Sequence, residues 1–465
     1  MKKIYIITIL FLLAIYTNAT PLDSAKTLFN EGKYQEALPI FNEQLAQSPK
    51  DASLNKYAGM CLFHLNKYTE AQPFLQSANS NGIAESAKYL AIIAMKEYRF
   101  NDADKYLSNY KSSLSKSGAE IPTEVEKLSS QIMNARNMLE RVEQIQIIDS
   151  INVDSKTFFN FYKLSNDVGS LNATSILPSN FAAAQPTVVF SPESKTKMYW
   201  AMSDSTNNSF IVSSSMLSDG IWEAPLKLGD ALNDGGNANY PYIMPDGVTI
   251  YFANDGANSI GGYDIFISRY DEDGYLQPLN LGMPYNSPSN DYMLVIDENT
   301  GIGWWATDRN NIEEKITIYM FIPSDTRVNY PSDSPNIVNL AKINAIKDTW
   351  LENANYNELL DKLNNIASPN NSLSTTQFTL NLSNGKIYHN ISDFKNSEAA
   401  VAMQEYLDAL DKLNNNKHTL NSLRLKYSQG DKSVANQILS LEKQILKGQE
   451  ELIRLQNIAI SLEVK

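Results

Sequence analysis

A block of short strand patterns recurs through the middle of this chain at a spacing of 52 or 53 residues. The segments Met198–Ala201, Ile250–Ala253 and Gly303–Ala306 each place two aromatic residues before an alanine. The first two copies also end in the same way. Their closing segments, Trp222–Asn233 and Tyr275–Asn286, both follow the order aromatic-x-x-Pro-x-x-Leu-Gly-x-x-x-Asn, and we call this segment the exit of the repeat. This repeat constrains the chain to fold as similar units packed on one another, since one small unit cannot bury its apolar faces alone.

Each copy predicts several short β-strands separated by turns. In the second copy, the runs 248–253 and 263–268 are rich in aromatic and β-branched residues, which suit a half-buried pleated surface. Pro-Asp-Gly precedes the first run and Gly-Gly precedes the second, and both favour turns. Four short strands at a period of roughly 40–50 residues are typical of a β-propeller blade.

Three recognisable copies are too few for a closed ring, since propellers typically have about 4–8 blades. We therefore predict an all-β propeller of four to six blades. The third copy lacks the Leu-Gly exit. The missing strands are expected from 145–183, where 147–154 has a strand pattern, or from a hairpin at 377–388 with a Ser-Asn-Gly turn. One of these segments is expected to complete a blade from the far end.

The strand repeat resembles the TolB-type, WD-like propeller repeat of bacterial periplasmic proteins over about residues 185–327. The matching residues of the second copy are Pro241, Asp246, Gly247, Tyr251, Phe252, Asp264, Phe266, Pro278 and Gly282. The aromatic members are expected in the blade cores, because propeller repeats carry periodic glycine and aromatic positions for packing. The resemblance implies a propeller within an envelope protein.

A second, helical repeat occupies residues 22 to about 115. The recurring residues, at offsets of 34 and then 32, are Gly32, Tyr34, Ala37 and Phe41 in the first copy, Tyr68 and Ala71 in the second, and Phe100 and Ala103 in the third. Their period and small–large alternation resemble tetratricopeptide repeats. The alanines are expected where two helices approach closely. Three such units present a concave face, and protein docking and a packing or spacer role both remain open.

The tail predicts two long helices with an apolar residue every seven positions. The main series are Ala399, Tyr406, Leu413, Leu420 and Tyr427, then Val434, Leu441, Leu455 and Leu462. A sustained heptad indicates coiled-coil packing, and the break at 429–431 allows an antiparallel hairpin. Lys417, Arg424 and Gly448 interrupt the seam. An intramolecular hairpin and an arm for homo-oligomerisation or docking are both considered. Another amphipathic helix is predicted near 343–366.

The N-terminus has the pattern of a secretory signal. Lys2 and Lys3 precede an apolar run at 4–16, and small residues at 17–19 predict cleavage before Thr20. The absence of cysteine at that position argues against a lipoprotein. Cys61 is the single cysteine, and its apolar helical neighbours predict a buried small hydrophobic residue. We expect an exported protein, in the periplasm or associated with the outer membrane.

No catalytic, cofactor-binding or metal-binding residue is predicted from the sequence. His64, His389 and His418 lie in three separate regions without metal-ligand spacing. The balance of 39 Lys+Arg against 52 Asp+Glu argues against nucleic acid as a partner. No stretch beyond the signal is long and apolar enough to cross a membrane.

The sequence therefore predicts a multidomain α + β chain with four parts. They are a signal peptide (1–19), tetratricopeptide-like helices with a capping helix (20–147), a propeller with an inserted helix (148–392), and a coiled-coil tail (393–465). This order resembles envelope proteins linked to type IX secretion and gliding, although the tail replaces their OmpA-type domain. The expected function is a non-enzymatic scaffold for envelope proteins. The alternatives are an enzyme in the propeller channel or a surface protein that binds polysaccharide through exposed Trp and Tyr.

Overall fold

The computed structural model describes residues 20–365 except 234, 325 and 353, together with 380–382, 386–388, 391–428 and 432–463. The chain divides into two compact units, residues 1–366 and 367–465. The predicted signal peptide lies outside the described residues. The predicted fold class is confirmed, because helical repeats come first, antiparallel sheets follow, and long helices come last.

Helical hairpins build the N-terminal part of the first unit. Its helices are α1 (Pro21–Asn30), α2 (Tyr34–Gln47), α3 (Ala52–His64), α4 (Tyr68–Ser80), α5 (Glu85–Lys96), α6 (Phe100–Ser117) and α7 (Thr123–Leu139). The second helix of each hairpin begins at a repeated aromatic residue, which is Tyr34, Tyr68 or Phe100. The helix after the repeats, α7, ends at Leu139, short of the boundary predicted near 147, because the chain enters its first strand at Gln146.

Antiparallel strands form the rest of the core of this unit. They are β1 (Gln146–Asp154), β2 (Ser170–Asn172), β3 (Val189–Ser191), β4 (Lys197–Ser203), β5 (Ser209–Ser215), β6 (Leu226–Lys227), β7 (Ala238–Ile243), β8 (Thr249–Asn254), β9 (Asp264–Asp271), β10 (Gly274–Tyr275), β11 (Leu279–Asn280), β12 (Asp291–Asp297), β13 (Ile302–Thr307) and β14 (Lys315–Ile322). The first sheet has the order β2-β3-β4-β5-β6. The second is β10-β9-β8-β7 with β11 also on β9, and the third is β1-β14-β13-β12.

The sequence repeat corresponds to these sheets. Its three aromatic-aromatic-alanine segments lie in β4, β8 and β13, which occupy equivalent places in the three sheets. The first strands of the second and third sheets also carry a bulge at equivalent residues, Tyr240 and Met293, with φ of 52° and 53°. A bulge redirects the side chains of its strand, and Tyr240 stacks on Tyr292 with ring centroids 4.6 Å apart. The arrangement is propeller-like.

The described residues hold three such sheets, so the prediction of four to six blades was wrong for this part of the chain. Region 145–183 adds strands to existing sheets and does not form another blade: β1 pairs with β14 over residues 146–154, and β2 pairs with β3. The third copy has no exit strand of its own, and this leaves the outer edge of β14 open. The early strand β1 occupies that edge, which removes an exposed row of backbone hydrogen-bonding groups.

One apolar core joins the three sheets, and aromatic side chains fill the place where they meet. Phe158, from the segment after β1, contacts Tyr240 and Tyr292 edge-on at 6.2 and 5.5 Å. Tyr162 is fully buried beside them, and its hydroxyl donates to Met293 O at 2.8 Å. The middle of the sheet assembly is therefore packed and apolar.

The helix predicted at 343–366 is present only over its last part, in α9 (Asn357–Asn365). Another short helix, α8 (Ile337–Lys342), ends just before the predicted start. The chain leaves α8 at Ile343, whose φ is 58°, and the intervening segment crosses β1. Trp350 Nε1 donates to Ile147 O at 2.7 Å, and Tyr356 Oη donates to Gln146 Oε1 at 2.6 Å. These contacts hold the segment on β1 and interrupt the predicted helix.

The second unit contains a small hairpin and two long helices. Its elements are β15 (Leu380–Asn381), β16 (Ile387–Tyr388), α10 (Ser397–Ser428) and α11 (Ala435–Glu463). The two strands pair with each other, and Leu380, Leu382 and Tyr388 pack with α10 and α11. Of the two segments expected to complete a blade, region 145–183 therefore does so, because β1 completes the third sheet, whereas this hairpin belongs to the helical unit.

The two long helices are antiparallel, because the start of α10 meets the end of α11: Asn396 Nδ2 donates to Leu462 O at 3.0 Å. Two of the three irregular seam positions have a partner across the hairpin. Arg424 pairs with Glu442 at 2.7 Å, and a Cβ at Gly448 would lie 3.2 Å from Leu413 Cδ1. The side chain of Lys417 lies outside the described residues.

Candidate functional site: a cleft between helices and sheet

A cleft of about 1130 Å³ opens between the helical repeats and the third sheet. One wall is formed by α2, the α3–α4 turn and α5, and the other by the loop 308–314 between β13 and β14. Its charged lining includes Lys67, Glu97, Asp308 and Glu313. The cleft therefore presents a mixed surface, with charges of both signs, to whatever enters it.

The two walls belong to one body because helices and sheets share an apolar core. Ala94 and Tyr98, from α5 and the α5–α6 turn, pack with Ile260 and Met283 of the sheet region and with Ala341 of α8. Burial of such contacts is the main stabilising force for a domain core. The helical repeats are thus fixed against the sheets and do not form a separate, movable arm.

Hydrogen bonds add to this attachment. Lys127 Nζ donates to Asp255 O at 2.8 Å, and Gln131 Nε2 donates to Gly261 O at 2.6 Å. Across the cleft, Asn311 Nδ2 donates to Asn66 O in the α3–α4 turn at 3.1 Å. The separation between the two walls is therefore set by contacts on both sides of the opening.

The helix residues singled out by the repeat form the interior and part of the cleft wall. Those fully or almost fully buried are Ala37, Phe41, Ala71, Phe100 and Ala103. Tyr34 and Tyr68 are only half-buried. Tyr34 stacks on His64 at 4.4 Å, and Tyr68 lines the cleft while its hydroxyl donates to Asn66 Oδ1 at 2.8 Å. Gly32 occupies the α1–α2 turn with φ of 77°.

The sheet residues singled out by the repeat lie away from the cleft and shape the second sheet. Asp246 accepts from Val248 N and Thr249 N, both at 2.9 Å, and so closes the β7–β8 turn. Gly247 and Gly282 take positive φ of 73° and 74°. The other members divide into buried ones, Pro241, Phe252, Asp264 and Phe266, and the half-buried Tyr251 and Pro278.

Asp264 is the unusual member of this set because it is fully buried without a cation among its hydrogen-bond partners. It accepts from Ile260 N at 2.9 Å, Gly261 N at 3.3 Å and Asn280 Nδ2 at 2.7 Å. Burial raises the pKa of this carboxyl well above its usual range, although those donors oppose the shift. Its bonds shape the loop before β9, so its role is structural.

Paired polar residues at the 53-residue spacing were missed by the sequence reasoning. Asn237 donates through its backbone and side chain to Asp255, at 2.7 and 2.9 Å. Asn290 does the same to Asp308, at 2.7 and 2.6 Å. The spacing used for the aromatic residues would have found both pairs. The second pair places the Asp308 carboxylate at the cleft.

A buried ion pair supports the sheet side of the cleft. Arg309 Nη2 lies 2.6 Å from Asp291 Oδ1, and their side chains are 5% and 0% exposed. The guanidinium also donates to Pro284 O at 2.9 Å and to Tyr285 O at 2.6 Å. Burial raises the pKa of the Asp291 carboxyl, and the Arg309 charge opposes that rise. Arg309 thereby connects the loop before β12 to the end of β13.

The described residues contain no group of three or more His, Cys, Asp and Glu side chains arranged to hold a metal ion. Cys61 is fully buried, as predicted, and burial raises the pKa of its thiol to about 12. The pKa of His64 is lowered by burial and by nearby Lys88. The two other histidine side chains, at 389 and 418, lie outside the described residues.

The packing bears on the two alternative sites that the sequence left open. A channel enzyme needs an open centre, but aromatic side chains fill the place where the three sheets meet. A sugar-binding surface was expected to use exposed Trp and Tyr; Trp200, Trp304 and Trp305 are fully buried, whereas Tyr270 is 52% exposed. Among the described helices, none is long and apolar enough to cross a membrane. The cleft remains the best-formed candidate.

Comparison with known proteins identifies the helical part. The tetratricopeptide repeat family model matches residues 28–94, which run from α1 into α5. This match agrees with the helical hairpins that form the cleft wall, and such repeats suggest a scaffold for protein–protein interaction. No curated protein matches the chain.

Proposed function

We propose that this protein is an exported, non-enzymatic scaffold of the bacterial cell envelope, in an assembly that serves secretion or transport. The helical repeats and TolB-like sheets would hold partner proteins in the periplasm or at the outer membrane. The observation that carries the proposal is the cleft of about 1130 Å³ between tetratricopeptide-type helices and a propeller-like sheet that share one core. A rigid, mixed-charge cleft suits a protein partner, because fixed walls lower the ordering cost of binding.

Site-specific photo-crosslinking in intact cells tests this proposal. A photoreactive residue at Gln35 or Asn42, both exposed on the α2 wall, is expected to give the same envelope-protein adduct. The matched control is Lys105, which is exposed on α6 outside the cleft and should give no such adduct. Equal adducts at all three positions, or none at the two cleft positions, would contradict a docking role for the cleft.

Export is tested separately from binding. The capping box of α1 begins at Thr20, the residue predicted to start the mature chain. N-terminal sequencing of the cellular protein is expected to begin near Thr20. Protease added to whole cells should leave the protein intact, and the same protease should degrade it once the outer membrane is permeabilised. Degradation in whole cells would place it at the surface instead.

The helical hairpin of the second unit is proposed as the homo-oligomerisation arm. Leu439, Leu446 and Ile453 lie seven residues apart on α11 and are 58%, 61% and 63% exposed. A heptad stripe that the hairpin leaves uncovered is typical of a helix with a further helical partner. Light scattering should give a dimer or larger assembly for the native chain and a monomer after all three residues are changed to serine. A monomeric native chain would refute this arm.

A further inference from the structure

A smaller cavity of about 170 Å³ adjoins the cleft and shares Lys96, Ser289 and Arg309 with it. It lies where the end of α5, the segment 287–289 and the end of α8 come together. Its volume is close to that of the engineered cavity of about 150 Å³ that holds a benzene molecule. A group of several heavy atoms therefore fits inside it.

The charge of this cavity is opposite to that of the chain. Three cationic side chains line it, Lys96, Arg309 and Lys342, and its lining includes no Asp or Glu. The whole chain carries a formal net charge of −13. Arg309 is already matched by Asp291 at 2.6 Å, so the excess positive charge resides on the two lysines.

Neither lysine forms an ion pair within the described residues. The hydrogen bonds of Lys96 Nζ go to Pro288 O at 3.4 Å and Ser289 Oγ at 3.5 Å, and both are long. Lys342 Nζ lies 5.7 Å from the ring centroid of Tyr98. Burial lowers the pKa of Lys96, with Asp308 and Asp291 opposing. An ammonium taken out of water with poor acceptors is costly, and an anion in the cavity would remove that cost.

The backbone around the cavity departs from ordinary geometry twice. Tyr98 and Ile343 both line it, and their φ values are 61° and 58°. Bulky and β-branched residues rarely adopt this left-handed region, and such conformations cluster at ligand-binding sites. The equivalent turn residues of the first two helical hairpins are Gly32 and Asn66, which tolerate it more easily.

We infer that this cavity binds one oxyanion, a phosphate or carboxylate group of a small ligand, between Lys96 and Lys342. The two ammonium groups supply the charge, and the Ser289 hydroxyl, which accepts from Lys96, has its own proton to donate. Charge-assisted hydrogen bonds of this kind are the strong ones in proteins. This small-molecule site is independent of the proposed scaffold role.

Titration calorimetry and thermal unfolding of the full mature chain test the inference. Inorganic phosphate and acetate are the two probes, each added at constant ionic strength against chloride. Saturable binding of either one, with a matching rise in unfolding temperature, supports the site. Binding of phosphate alone identifies a phosphate group, and binding of both identifies a general oxyanion site. Absence of saturable binding by both anions overturns the inference.

Lysine variants locate the bound anion. Lys96→Met and Lys342→Met keep the aliphatic stem and remove the charge, and each is expected to weaken binding about tenfold or more. Lys96→Met should also raise the unfolding temperature without anion, because it removes a poorly solvated ammonium. Lys105→Met, on an exposed face of α6, is the matched control and should bind as the native chain does. Native affinity in both cavity variants overturns the site, and a methionine variant that fails to fold is replaced by glutamine at the same lysine.

Discussion

Two asparagines in equivalent copies of the repeat provide a matched stability test. Asn286 Oδ1 accepts from Ile265 N at 2.7 Å, and its Nδ2 donates to Ile265 O at 2.9 Å. Asn233 makes the corresponding bonds to Ile211 at 2.8 and 3.5 Å. Asn286 is fully buried, whereas Asn233 is partly exposed. An asparagine side chain therefore makes the same pair of hydrogen bonds at a fully buried position and at a partly exposed one.

The expected costs follow from that difference. Asn286→Ala leaves the buried N–H of Ile265 without this partner, whereas Ile265 O keeps its bond from Leu281 N at 3.1 Å. An unpaired buried group costs about 1–3 kcal/mol and a lost hydrogen bond about 1 kcal/mol, so we expect the free energy of unfolding to fall by about 3 kcal/mol. Asn233→Ala should cost about 1 kcal/mol, because water can reach a partly exposed site and replace the amide.

Urea unfolding followed by tryptophan fluorescence measures both variants. The chain has five tryptophans, and all of them lie in the first unit: Trp200, Trp222, Trp304, Trp305 and Trp350. The signal therefore reports the sheet-bearing unit without contribution from the helical tail. An equal loss in the two variants, or a larger loss for Asn233→Ala, would refute the argument from burial.

Three further predictions use single sites. At pH 8, the Cys61 thiol, with its pKa of about 12, should be alkylated about a thousandfold more slowly in the native chain than in urea; comparable rates would contradict its burial. The raised pKa of Asp264 means that the folded chain holds this proton more tightly than the unfolded chain, so its contribution to stability falls as pH rises through the folded-state pKa. The midpoint of urea unfolding is expected to fall between pH 4 and 8 in the native chain and to fall less in Asp264→Asn. An equal fall of the midpoint in both proteins would refute this. Gly303→Ala places a Cβ 2.3 Å from Phe321 Cζ, and calorimetry should show a loss of about 1–3 kcal/mol; native stability would contradict the close contact.

Much of the local structure could be predicted from the residues alone. The 53-residue repeat indicated the strands β4, β8 and β13, and the 34- and 32-residue offsets indicated α2, α4 and α6. These features depend on the propensities and spacing of neighbouring residues, which a sequence displays directly. The heptads of the tail likewise predicted α10 and α11, and the break at 429–431 allowed their antiparallel pairing.

The candidate site was much less accessible to sequence reasoning. The cleft and the smaller cavity are made from residues far apart in the chain: Tyr98 Oη donates to Ala341 O at 3.4 Å across 243 residues. Lys96 and Lys342 have no sequence pattern around them. A contact between distant segments leaves no local period in the sequence. The charge balance and the volume of the cavity therefore exist only once its walls have come together.

The sequence by itself determined the order of helical repeats, strand repeats and coiled helices, because each has its own apolar period. The tertiary structure alone decided how many sheets form and what closes them. The early strand β1 joins β14 since the third copy lacks an outer strand, and an open sheet edge is satisfied by whichever strand can reach it. Docking of the helices on the sheets was decided in the same way, by complementary apolar surfaces that meet only in the folded chain.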